Sequence, residues 1–185
     1  MSARNPQSSI PALFRSLMRE SYLLYDPGSP KDWLASFQEE YKRLGVILGP
    51  EIQFPPNCFV DMRGVFVRYE SRMLLVTKFP VLEEHLNPVR VMQGGYIAAA
   101  IDNTMGPLSY FAARRPCLTL DLHVQFIRAA APGETLTVTG RVVSRGSRTM
   151  VLSAEVLTDK GKLAAQASAN VVVLDDWKGA PTKKE

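Results

Sequence analysis

The sequence is poor in the side chains that usually announce a metal or disulfide protein. Only Cys58 and Cys117 occur among its 185 residues. They give no disulfide framework and no zinc-ligand spacing. His85 and His123 are the only histidines, and each reads as a surface or strand residue rather than a ligand, so no metal and no cofactor is expected. No apolar run reaches the roughly 18 residues of a membrane span. Residues 1–20 lack the basic start, apolar run and small-residue cleavage site of a signal peptide, so a cytoplasmic protein is expected. Neither sign of charge dominates. The net charge is +4, part of it in the tail Lys178–Lys184, and the rest is scattered rather than gathered on one face, so no nucleic-acid partner is expected. Internal repeats are absent. The length suits a single full core, and 46% hydrophobic with 22% charged residues is ordinary for a globular chain.

What the sequence does have is a stretch, residues 87–111, whose residues packing alone does not explain. Gly94 and Gly95 open a small apolar run that predicts a helix of about five turns ending near Arg114. Ile97, Ala98, Ala99, Ala100 and Ile101 make it apolar nearly all round, the mark of a helix buried on most sides. Asp102 sits in its middle, where an ionised carboxylate needs partners or a wet cavity. The first N–H groups, at Gly94 and Gly95, have no intrahelical acceptor and lie at the positive end of the helix dipole. Glycine there lets a ligand carbonyl approach the backbone, as an oxyanion hole requires.

Before this stretch, residues 1–55 predict a helical extension. Ile10, Leu13, Phe14, Leu17 and Met18 share one helical face, and Asp26-Pro27-Gly28 breaks the chain. Ser29 and Pro30 suit the N-cap and first turn of a second helix. Its stripe is Trp33, Leu34, Phe37, Tyr41 and Leu44, and Gly45 is expected to end it. Two amphipathic helices packed on the domain or on a partner is the reading taken over a DNA-reading helix-turn-helix. Residues 59–69 and 72–80 predict a hairpin turning at Glu70-Ser71. After the helix, Leu120, Leu122, Val124 and Phe126 alternate with Thr119, Asp121, His123 and Gln125 as a strand. Three further strands are predicted at about 134–144, 148–158 and 163–174. The fold class is therefore α+β, an antiparallel sheet around one helix.

Asn87, then Gln93-Gly94-Gly95, then Asp102 resembles the active-site helix of hotdog-fold acyl-CoA thioesterases of the phenylacetate-degradation and 4-hydroxybenzoyl-CoA type. The family pattern is Asn or Gln, six residues on His-Gly-Gly, then an acid nine residues past the His. The spacings are kept here, with Gln93 in the His position, and the likeness spans roughly residues 59–174. It implies a hotdog domain over 56–176, between the extension 1–55 and a basic tail 177–185. It implies an acyl-CoA substrate, and a homodimer or dimer of dimers. Asp102 would be general base or nucleophile, and the Gly94 N–H would polarise the carbonyl beside Gly95. Gln93 and Asn87 would orient, and Thr119 matches the hydroxyl that positions the acid. Asn103 and Thr104 follow the acid closely enough to hydrogen-bond near the site. Arg145-Gly146-Ser147-Arg148, with Arg128 second, would receive the CoA phosphates.

Two readings compete with hydrolysis. Gln93 can donate and accept hydrogen bonds but does not titrate near neutrality, which leaves a hotdog protein that binds acyl-CoA without turnover. Hotdog dehydratases use a histidine near the helix, and none stands at 93. Asn87 also has a plain role, turning a loop before Pro88. Pro107 should bend the helix just past Asp102. Tyr96, Ile97 and Met105 offer an apolar lining that fits many acyl groups. Geometry adds one expectation. Gly94 and Asp102 are eight residues apart, about 12 Å along a straight helix, so one chain's acid cannot serve its own oxyanion hole.

Overall fold

A computed structural model describes residues 32–48 and 55–175, with side chains described for 32–43 and 55–175. The expected helix at 10–18, the break at 26–28, Ser29, Pro30, the Leu44 side chain and the tail 177–185 lie outside the described residues. The elements follow as α1 (Leu34–Leu48), α2 (Asn57–Asp61), β1 (Val65–Glu70), β2 (Leu74–Pro80), a 3-10 turn (Glu83–His85), α3 (Gly94–Ala113), β3 (Cys117–Phe126), β4 (Thr135–Arg145), β5 (Thr149–Leu157) and β6 (Leu163–Val173). The strands form one sheet in the order β1-β2-β4-β5-β6-β3, antiparallel at every pairing. This is the expected α+β hotdog architecture, a sheet wrapped around a central helix.

The long helix α3 lies against one face of the sheet because both surfaces are apolar at matching positions. Ile101, Met105, Leu108 and Phe111 are buried in one core with Leu75, Leu136, Val138, Leu152 and Val171. β4 and β5 bury every second residue, Leu136 and Val138 facing the same core as Met150, Leu152, Ala154 and Val156. Gly140 sets how closely the helix approaches, since a Cβ there would lie 3.3 Å from Thr104 Cγ2. The Thr104 hydroxyl is itself satisfied, donating to Ala100 O at 2.8 Å and meeting Thr77 Oγ1 at 2.6 Å.

The second predicted helix is part of this core rather than an appendage. Phe37 is 1% exposed and packs its ring on Phe66, Tyr69 and Phe111 at 4.7, 5.7 and 5.3 Å. Truncating such a buried ring to alanine costs about 3–5 kcal/mol. Glu40, also buried, reaches Arg114 at the end of α3.

Four local expectations are corrected. Gly45 does not end α1, which runs on to Leu48; one interior glycine costs only about 1 kcal/mol. Residues 59–61 are helical, not strand, and β1 begins at Val65. Phe59 from α2 stacks on Phe66 at 4.6 Å, so its apolar character served a helix plugging the core. The hairpin turns through Ser71–Met73 rather than at Glu70-Ser71, with Arg72 at φ 63° and its N–H donating to Tyr69 Oη at 2.9 Å. His85 is no surface residue; it is buried in the 3-10 turn.

Candidate active site

The start of α3 is presented by a closed loop. Leu86 and Met92 form an isolated antiparallel bridge, and the Met92 N–H donates to Ala130 O at 2.9 Å. Inside the loop Asn87 Oδ1 accepts the N–H groups of Val89 and Val91 at 3.0 and 3.2 Å. That is the turn-building role expected of Asn before proline, and it fixes the path leading to Gln93. Gln93 stands at the N-cap in extended conformation without a side-chain cap. Its N–H donates to His85 O at 2.8 Å, and its carbonyl accepts the Tyr96 N–H at 2.9 Å. Among the described residues no acceptor takes the Gly94 or Gly95 N–H. Side chains crowd both glycines. A Cβ on Gly94 would lie 3.1 Å from the Phe126 ring, and one on Gly95 would lie 2.7 Å from Gln93 Oε1. The Gln93 carboxamide is thus folded over the helix start.

Asp102 faces away from the sheet centre and is exposed, and it has the partner that a carboxylate in an apolar helix needs. Its partner is Thr119, whose Oγ1 donates to Asp102 Oδ1 at 3.1 Å. A bulge in β3 creates that contact. Thr119 pairs with Val171 and Asp121 with Asn170, leaving Leu120 extra. Cys117, Thr119, Leu122 and Val124 therefore lie opposite Val173, Val171, Ala169 and Ala167, on the face toward α3. Simple alternation would have put Thr119 on the face opposite Leu122. Ala98, Ala99, Asp102, Thr119 and Leu122 line a cleft of about 380 Å³ along this edge. A larger cavity, about 440 Å³ and lined by His123, Gln125, Arg141 and Glu155, opens away from Asp102 and the helix start.

The other predicted residues are spread. Asn103 turns into the core, accepting from Cys58 Sγ at 3.2 Å and donating to Met62 Sδ at 3.8 Å. Arg145 Nη1 donates to Ala112 O at 2.7 Å, so the turn Gly146-Ser147-Arg148 sits beside the end of α3, remote from its start. Arg115 holds Ser147 O at 3.0 Å. Arg148 and Arg128 are exposed. Pro107 is buried inside α3, which continues unbroken to Ala113. Burial pushes the Cys117 thiol up to about 11, so it stays protonated near neutrality and is no nucleophile. Among the described residues no three His, Cys, Asp or Glu side chains gather as a metal site, and no described helix is long and apolar enough to cross a membrane.

One neighbour of the helix start was missed from the sequence. The His85 ring is 4% exposed and stacks on Tyr96 with centroids 4.1 Å apart and planes at 23°. Burial holds its pKa below the ordinary histidine value, against the opposing pull of Glu84. Only the proximity of His85 to Asn87 could have signalled this.

Known proteins carry the same framework. The family described as the Thioesterase superfamily matches residues 90–165. Human acyl-coenzyme A thioesterase 13 is 29% identical over 96 residues, covering 50% of this chain and 67% of that protein. The structure of the Escherichia coli PaaI protein from the phenylacetic acid degradation operon superposes with a TM-score of 0.66 at 15% identity, over 77% of this chain and 96% of that one. A Streptococcus mutans protein bound to acetyl-CoA superposes with a TM-score of 0.60 at 24% identity, over 70% and 98%. With the Gly-Gly helix start and the Thr119-held acid already in place, the chain has the hotdog fold, and its residues 90–165 match the Thioesterase superfamily.

Proposed function

We propose that the protein hydrolyses an acyl-CoA to a carboxylic acid and free CoA at a site shared by two chains. The observation that carries this reading is the pair of free N–H groups at Gly94 and Gly95 together with an exposed, Thr119-held carboxylate on the same helix. The N–H groups would receive the thioester oxygen as charge develops on it, at the positive end of α3. Asp102 would take the proton of the attacking water or attack the carbonyl itself, with Gln93 orienting the thioester. Asn87 would act through the loop it braces.

The shared site follows from distance. Gly94 and Asp102 stand about 12 Å apart along one helix, beyond hydrogen-bond reach. β3 is an edge strand, with Leu118, Leu120, Phe126 and Ile127 exposed. An apolar, unpaired edge is unstable alone. Two such edges related by a dyad would pair and run the two α3 helices antiparallel, each Asp102 toward the other chain's Gly94. The same dyad would bring Arg148 and the turn at the end of α3 toward the partner's helix start, where CoA phosphates could be received.

The second reading, binding without turnover, is motivated by Gln93, which cannot titrate near neutrality. A panel of acyl-CoA thioesters with a free-thiol readout decides between them. Turnover of any member sustains hydrolysis; tight binding with no thiol release from any member sustains the binder.

A further inference from the structure

We propose that His85 is a positioning residue for this site, holding the first turn of α3 through the face of Tyr96. The inference rests on the reading of the Gly94 and Gly95 N–H groups as the thioester's receivers. Two consecutive glycines are the least constrained start a helix can have, each costing about 0.5–1 kcal/mol against alanine in backbone entropy. Donors on so loose a segment would be poorly aimed unless something outside the helix fixes it. His85 fixes it on both sides. Its carbonyl accepts the N–H of Gln93, immediately before the glycines, at 2.8 Å. Its ring lies against Tyr96, immediately after them. Being only 4% exposed, the imidazole is itself held by packing, whereas Tyr96 is 37% exposed and would otherwise be free on its outer face.

The ring acts by its shape rather than its proton. Nδ1 is buried without a hydrogen-bond partner, so a proton there would find no acceptor, and a buried cation would lack compensation. Burial and Arg63 disfavour the charged form, and Glu84 alone opposes them. His85 is therefore not a displaced substitute for the titrating histidine that Gln93 replaces.

The test compares His85→Ala, His85→Phe, Tyr96→Ala and the double variant His85→Ala/Tyr96→Ala in the full chain, using the acyl-CoA the wild type turns over best. His85→Ala should lower kcat about 10–100-fold, the scale of a small misplacement of reacting groups, with KM little changed. His85→Phe keeps a stacking ring and should restore most of the rate. The double variant should be no worse than the poorer single, since both remove one contact. If His85→Ala fails to fold, Tyr96→Ala against wild type carries the kcat comparison, because its ring is partly exposed. Three results overturn the proposal: His85→Phe as damaged as His85→Ala, an unchanged kcat in a folded His85→Ala, or losses that multiply in the double variant. Should the wild type turn over no thioester, the functional reading fails separately. Amide exchange at Tyr96 and Ile97 then decides positioning: faster exchange in His85→Ala but not in His85→Phe sustains it, and unchanged exchange overturns it.

Discussion

Thr119 donates its hydroxyl to Asp102 across 3.1 Å, from a strand that turns Thr119 toward the helix only because Leu120 bulges out of register with β6. A hydrogen bond to a charged group is worth about 1.5–3 kcal/mol. Replacing Thr119 with valine keeps the strand preference and shape but removes the donor. Turnover should fall about tenfold or more, while the urea midpoint stays close to wild type because the pair is exposed. Unchanged kinetics would show that the contact only decorates the acid.

Asp102→Asn removes the carboxylate while preserving size. Turnover should drop by about 10²–10⁴, and the fold should survive because the position is exposed. Label found in the Asp102 carboxylate after single turnover of wild type in ¹⁸O-labelled water would mark it as nucleophile, since label enters there only when water opens an acyl anhydride at the aspartyl carbon. A folded, fully active Asp102→Asn would take the residue out of the mechanism.

Shared sites predict complementation. Asp102→Asn and Gly94→Pro, the latter deleting an N–H and adding a ring, should each be nearly inactive. Refolded together, half the dimers are mixed and each rebuilds one site of two, so activity should recover to about a quarter of wild type. Demonstrably mixed, folded dimers without recovery would argue for sites confined to single chains, as would a fully active monomer by light scattering.

Gln93→His restores the residue usual in the family at a position where the carboxamide folds over Gly95. If Gln93 only orients, the rate should change little and its pH profile should keep a single acidic limb. A gain of about a hundredfold, on the scale of general acid–base catalysis, would mark the natural chain as a weakened enzyme and favour the binding reading.

Burial of His85 also predicts how stability responds to acid. Its folded pKa lies below the ordinary 6.5, so below that value the unfolded chain takes up the proton first. Stability is then fully present above about pH 6.5, falls as pH drops toward the folded pKa, and levels off beneath it. Urea midpoints of wild type should therefore fall more between neutral and mildly acidic pH than those of His85→Phe, which lacks the group. Parallel curves for the two proteins would contradict this.

The sequence by itself determined the extent of α3 and the strands that follow it. The Gly-Gly start, the apolar run and the lone Asp102 are local signals, and local signals follow from helix periodicity and dipole alone. The strands after α3 were legible for the same reason, being separated by short glycine or charged turns. Where a residue's meaning depended on its neighbour across the fold, periodicity alone misled. Phe59 looked like strand and is a helical plug, because an aromatic at one buried position satisfies either period. Asp102 stands in an apolar run yet is exposed, because the sheet covers only part of the helix. Thr119 alternated to the wrong face, and one inserted residue, Leu120, reversed it, since a strand's period of two makes every side chain downstream depend on the register. His85 gave no sign of its role; only folding stacks it on Tyr96. Tertiary structure decided these because burial, register and ring contact belong to pairs of residues distant in the chain, and a linear pattern holds no information about which pairs meet.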